Sequence, residues 1–401
     1  MAMSGESPLS MMRSAPPRLR KRRAAPRRRL WIYLASVAVV AVVAIGLTWG
    51  WYLAAAMTGR VLSGWLEREA RLGRTYACGS QSIGGFPVHI VIRCDKAAAS
   101  FNSNHPPFDV TATGVTFSAA LYQPTYLHAE ISGPVTIADP GQPPLFIANW
   151  SSARLDLLGL PSDPQAISVH LLKPRLDRVA GPNQGMIFQA ATADVDGRIV
   201  QGSARNNPVI EATGHFTAAV APTFHPLLAA PLEGDIDAVL SGFRDFSPKP
   251  WPVLFKEMQA SGGAIVIRSI RIARTDATVV GTGKLTVNEH GRLDGTLNVA
   301  VAGLETIVPL LGIDQLIGQG IDRLTGGSGS PDQGLSTLDR LVPGLGNVVR
   351  SQTNSNLVDN IEKMGQPTEI DGKPATALPL RVADGVIYVG IVPVGVVPAL
   401  F

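Results

Sequence analysis

The sequence predicts a mainly β protein: a large curved antiparallel sheet or sandwich with a few short helices, preceded by one N-terminal transmembrane helix. Three observations carry that expectation. No Asp, Glu, Lys, Arg or His falls between Arg29 and Arg60, a run long enough for a membrane span. From Phe101 to Gly303, apolar and polar residues alternate in stretches separated by turn residues, with few helical signals. The 401 residues include 41 Gly and 31 Pro with only 16% charged, which suits many short strands joined by turns.

The chain divides into a basic cytoplasmic tail (1–29), a transmembrane helix (30–57), an amphipathic connecting helix (58–75) and a β-rich periplasmic domain (76–401). Nine basic residues against Glu6 place +8 before Leu30, so the total of +4 leaves −4 for the rest. Basic residues this close to a span hold their flank in the cytoplasm. The tract contains Pro and no interleaved aromatics, so it reads as a topology signal and not as a nucleic-acid arm. A helix rises about 1.5 Å per residue, so the steps from Trp31 to Trp51 cover roughly the 30 Å hydrocarbon core. Trp31 and Tyr33 mark one interface; Trp49, Trp51 and Tyr52 mark the other. Ala54, Ala55 and Ala56 resemble a signal-peptide cleavage site, but a signal's apolar region spans only about 7–15 residues, which favours a retained anchor.

In 58–74, Val61, Leu62, Trp65, Leu66 and Leu72 are spaced for one face of a helix, with charges largely opposite. A strand is expected over 86–94, where Phe86, Val88, Ile90, Ile92 and Cys94 alternate with Pro87, His89, Val91 and Arg93. Cys94 then points into the apolar face, with Cys78 on the neighbouring strand. Outside the cytoplasm these two cysteines, the only ones in the chain, are expected to pair. Closing that loop stabilises by roughly 3 kcal/mol in the chain-entropy model.

Further strands are expected at 109–122, 126–139, 146–157, 166–179, 185–195, 209–220, 234–240, 264–271, 278–287 and 291–302. Turns are expected at Asp196-Gly197, Gly262-Gly263, Glu289-His290-Gly291 and Asp294-Gly295. The best helical signal in this region is 251–259, after Pro248-Lys249-Pro250. Strands without intervening helices mean an antiparallel meander. A helix/loop insertion follows at 306–365, with short helices at 305–317, 334–341 and 354–364 around a loop at 326–332. Closing strands lie within 377–392, and the uncharged tail ends PVGVVPALF.

Catalytic patterns are absent from the sequence. Gly281-Thr282-Gly283-Lys284 imitates part of a phosphate loop, but Thr278 stands where Gly is needed, and Leu285 follows the lysine where a magnesium-binding hydroxyl belongs. There is no G-x-S-x-G elbow and no H-E-x-x-H helix. The seven histidines show no metal-ligand spacing. Asp194/Asp196 and Asp235/Asp237 each place two carboxylates on one strand face, a pattern that solvated strand edges share. The sequence therefore predicts a non-enzymatic protein with no cofactor and no metal.

The residues Tyr76-Ala77-Cys78, Gly84-Gly85-Phe86-Pro87-Val88 and Arg93-Cys94, together with Asp384 to Gly390, Pro393-Val394-Gly395 and Pro398, resemble the family catalogued as domain of unknown function 2125. The resemblance runs over about residues 58 to 401. It implies a membrane-anchored envelope protein of alphaproteobacteria with no assigned activity. The stretch from Ala277 to Leu304 is also similar to strand–turn–strand units of AsmA-like envelope proteins, which implies a β-groove for lipid. The expected partners are thus inner-membrane lipid and either a hydrophobic ligand or another envelope protein, with no nucleic acid. Ile90, Ile92, Val280 and Val299 are expected to line the groove, although core packing accounts for the same residues.

Overall fold

The structure, a computed structural model, describes residues 27–308 and 362–401 apart from positions 105, 161, 162, 183, 247, 248 and 391. The expected tail before residue 27, the loop at 326–332, the helix at 334–341 and most of those at 305–317 and 354–364 lie outside the described residues. The chain forms two units, Met1–Gly50 and Trp51–Phe401.

The described part of the first unit is helical, and from Trp31 to Gly50 its side chains are exposed apart from the half-buried Thr48. It belongs to α1 (Arg27–Arg71), in which the expected span and connecting helix form one uninterrupted element. From Trp31 onward α1 is long and apolar enough to cross a membrane. Gly73 ends it: a backbone φ of 77° is the left-handed conformation that closes many helices, and its N–H donates to the Ala70 carbonyl. Just beyond, Arg74 donates to Glu69 at 2.5 Å.

Among its described residues, the second unit is one sheet of twenty strands, all antiparallel, so the choice between one sheet and a sandwich resolves to one sheet. β1 (Arg74–Ala77) and β2 (Ser80–Gly84) share an edge of β3 (His89–Phe101), which pairs with β4 (Phe108–Ala120), and β4 pairs with β5 (Gln123–Ala138). The next three passes are each broken once. They are β6 (Phe146–Asn149) with β7 (Ser152–Leu158), β8 (Ala166–Leu172) with β9 (Arg175–Arg178), and β10 (Gly185–Gln189) with β11 (Thr192–Ser203). Each pass pairs with the last, giving β5–β7–β8–β11 on one side of the breaks and β5–β6–β9–β10 on the other. The meander continues through β12 (Asn206–Ala219), β13 (Leu232–Leu240), β14 (Ile265–Ala273), β15 (Thr278–Val287) and β16 (Leu293–Ala302). After the insertion, β17 (Gln366–Ile370) and β19 (Val386–Val389) share the outer edge of β18 (Lys373–Ala383), which pairs with β16; β20 (Val392–Val396) closes the sheet.

The breaks form a line across the sheet. It runs from Lys96 (φ 51°) through Gly133-Pro134, Trp150-Ser151, Lys173 (φ 52°)-Pro174 and Ala190-Ala191 to Ala218 (φ 49°). Extra or left-handed residues in a strand bend it and increase its twist, so aligned irregularities crease the sheet. Backbone groups freed at the crease find local partners. Trp150 Nε1 donates to the Ile131 carbonyl at 2.7 Å, and the Lys173 N–H donates to Ala191 at 2.8 Å.

Several strand boundaries differ from the sequence reading. Phe86 to Val88 form a turn and not the start of the strand, because Gly85 (φ 98°) lets the His89 N–H fold back onto its own carbonyl at 3.0 Å. Asp196-Gly197 and Asp294-Gly295 lie inside β11 and β16, not at turns. The expected helix appears as α2 (Trp251–Ala260), begun by Pro250 and Pro252. A short helix, α3 (Leu304–Ile307), begins just before the expected insertion and runs into its start.

Candidate functional site

Register assigns every strand residue to one of two faces, because a shift of one residue reverses the face. Followed from β3 to β14, one transverse row reads Arg93, Thr116, Glu130, Arg154, His170, Asp194, His215, Asp235, Arg271. Its neighbour on the opposite face reads Ile92, Phe117, Ala129, Leu155, Val169, Val195, Gly214, Ile236, Ile270. The sheet is therefore polar on one side and apolar on the other over nine strands in succession.

The polar face is a ladder of cross-strand pairs. His128 Nδ1 lies 2.7 Å from Asp156, His170 Nδ1 lies 3.0 Å from Asp194, and His215 Nδ1 lies 2.6 Å from Asp235. Glu211 is held between Arg198 and Arg268, and Arg271 reaches Asp371, in the turn between β17 and β18, at 2.5 Å. Burial pushes the Asp156 carboxyl up, but hydrogen bonds from His128 and Tyr126 outweigh it and hold it below the ordinary carboxylate range. The hydrogen bond to Asp235 raises His215 above the usual histidine value, and Arg198 with Arg268 lowers Glu211. The arrangement links neighbouring strands. His128 turns its other ring nitrogen, Nε2, towards Glu130 at 3.7 Å, so a second carboxylate stands where a nucleophile would have to be. Among the described residues no group of three His, Cys, Asp or Glu side chains could hold a metal ion.

The apolar face is covered at its ends and open between them. α2 seals one end, where Leu254 and the fully buried Met258 pack with Phe243 and Val287, joined by Leu400 and Phe401 of the C-terminal tail. Ala190, Ala219 and Leu232 close the β10 side with Phe188 and Leu228. Leu304 and Val308 cover Val301 and Leu378. Between these caps, on β8 and β11, Ile167 and Val195 remain 42% and 51% exposed.

The four expected groove residues do not share one face. Ile90 and Ile92 lie on the apolar face of β3, and Val299 continues the row Ile270–Gly281–Val299. Val280 pairs with Arg271 and Ala300 on the polar face. There the β17–β18 hairpin folds back, so that Val280 packs with Ile370, Ala302 and Ala375 beside a shallow cleft of about 440 Å³ that Thr282 and Asn298 also line. Cys78 and Cys94 form the expected disulfide, with Cα atoms 5.4 Å apart. Cys78 sits in the gap between β1 and β2, so the bridge clamps that interrupted edge to β3. Asp194 and Asp235 stood out in the sequence, but their pairing with His170 and His215, and that of Asp156 with His128, did not, because a pair in register across two strands has no fixed spacing along the chain.

These features define a class: a β-meander protein with two unlike faces and an N-terminal helix able to cross a membrane. The chain belongs to the bacterial family described as "uncharacterized protein conserved in bacteria (DUF2125)", whose model matches residues 51–398. No curated protein and no solved structure matches it.

Proposed function

We propose that the chain is a non-enzymatic envelope protein that crosses the inner membrane once, with its N-terminus in the cytoplasm and its sheet in the periplasm. There the open part of the apolar face receives a lipid or another hydrophobic ligand. The basic flank before Trp31 supports the orientation, and the Cys78–Cys94 disulfide suits an oxidising compartment. The observation that carries the ligand reading is the contrast between two adjacent residues. Asp194 is bonded to His170 on one face, while Val195 stands half-exposed among Val169, Leu155 and Ile236 on the other. Half-exposed apolar side chains aligned across neighbouring strands are the kind of surface that gains from covering by hydrocarbon.

The test places a photoreactive side chain at Val195, and separately at Asp194, in the full-length protein in native membranes. A lipid adduct at Val195 and none at Asp194 is the expected result. Equal capture at both positions, or none at either, ends the lipid reading. A protein adduct at Val195 would instead favour a scaffold that docks another envelope protein.

A further inference from the structure

Trp51 lies about one hydrocarbon thickness along the helix from Trp31, which puts it at the outer interface of the membrane in the span reading. A tryptophan at that depth ordinarily turns its amphipathic ring to the headgroups. Trp51 does not: it is 9% exposed, its indole N–H donates to the His89 carbonyl at 2.8 Å, and the Phe86 ring meets it edge-on at 5.8 Å. A protein turn, Gly85 to Val88, therefore stands where lipid headgroups would.

That turn is bound to a second one. The Leu121 N–H donates to the Val88 carbonyl at 2.9 Å, and the Tyr122 ring lies 6.3 Å from that of His89. Phe86 is nonetheless 56% and Tyr122 77% exposed. No Asp, Glu, Lys or Arg occurs from Cys78 to Ile92 or from Phe117 to Ala129, so neither tip carries a formal charge. Turn tips facing water favour Gly, Asn, Asp and Ser; these two present Phe-Pro-Val and Leu-Tyr.

We infer that the β2–β3 and β4–β5 turns form a second membrane contact. In it Phe86 and Tyr122 enter the headgroup region of the leaflet at the outer end of the span and fix that end of the sheet against the lipid surface. This contact depends on the span and not on any ligand of the apolar face.

Phe86→Cys and Tyr122→Cys, each made in the full chain, give one reactive thiol, because both native cysteines are paired. Nitroxide-labelled and reconstituted in vesicles of phosphatidylethanolamine and phosphatidylglycerol, each label is read for collisions with oxygen, which concentrates in lipid, and with a water-soluble nickel chelate. We expect an oxygen-to-nickel ratio severalfold above that of a label at Phe224, an exposed aromatic of another loop. Tyr122 is largely exposed, so its substitution tests the membrane contact without threatening the fold. Ratios at both tips equal to that of Phe224 overturn the inference. A label at Val40 separates the two ways of failing. If it reads lipid, the span stands and the tips alone remain in water; if it reads water, the span itself is wrong.

Discussion

His215 and Asp235 show how a single pair couples the sheet to pH. The folded histidine binds its proton more tightly than the unfolded one because Asp235 accepts its hydrogen bond. The resulting stabilisation is fully present below about pH 6.5, the ordinary value, and fades as pH rises through the raised folded value. His215→Gln should therefore lower the melting temperature most at pH 6 and progressively less towards pH 8. A gap that is constant, or that widens with pH, would show that the pair is not in place. The sequence disclosed such residues unevenly. The cysteines were legible because only two exist and both follow the expected span, so any compartment they lie in is shared. Val280 was misplaced for a reason that arithmetic could have exposed: a hairpin centred on His290 sets Val280 opposite Ala300, which sends Val299 to the other face.

At the level of elements, the alternation of apolar and polar residues revealed that strands exist but not where they bend. In the passes expected at 166–179 and 185–195 the alternation shifts phase at the break, from Ile167, Val169 and Leu171 to Leu176 and from Met186 and Phe188 to Ala193 and Val195. One strand alone, however, does not show that its neighbours break at the same level. Asp294-Gly295 misled because Asp-Gly is a strong turn signal. Inside β16 the pair has another use. The Asp294 carboxylate accepts from Asn288 and from the Asp384 backbone N–H at 2.6 Å, tying two hairpin ends together. Gly295 adopts a φ of 152°, and a Cβ there would come 2.1 Å from the Lys284 carbonyl oxygen. Gly295→Ala should cost about 1–3 kcal/mol from backbone strain, with any shift of β15 adding to it. Chemical denaturation reads this directly; a loss below about 0.5 kcal/mol, the ordinary range for an uninvolved surface site, would contradict the strained geometry.

Over the whole molecule, stability is unevenly spread. The four buried apolar clusters found among the described residues all draw on positions from Phe188 onward. Through β1 to β9 the sheet relies on strand pairing, on Trp51 bonded to His89, on the Glu69–Arg74 pair and on the disulfide. In a meander each strand pairs mainly with the strands before and after it, so local opening need not bring down the rest, as in repeat proteins. The disulfide thus sits where a buried core contributes least, and in the chain-entropy model its loss removes roughly 3 kcal/mol. Hydrogen exchange on the intact protein, with and without reductant, should separate the two regions. We expect backbone amides of β12 to β16 to be the slowest and unchanged by reduction, while those of β1 to β4 exchange faster once Cys78 and Cys94 are reduced. If reduction accelerated exchange equally throughout, the sheet would be one cooperative unit.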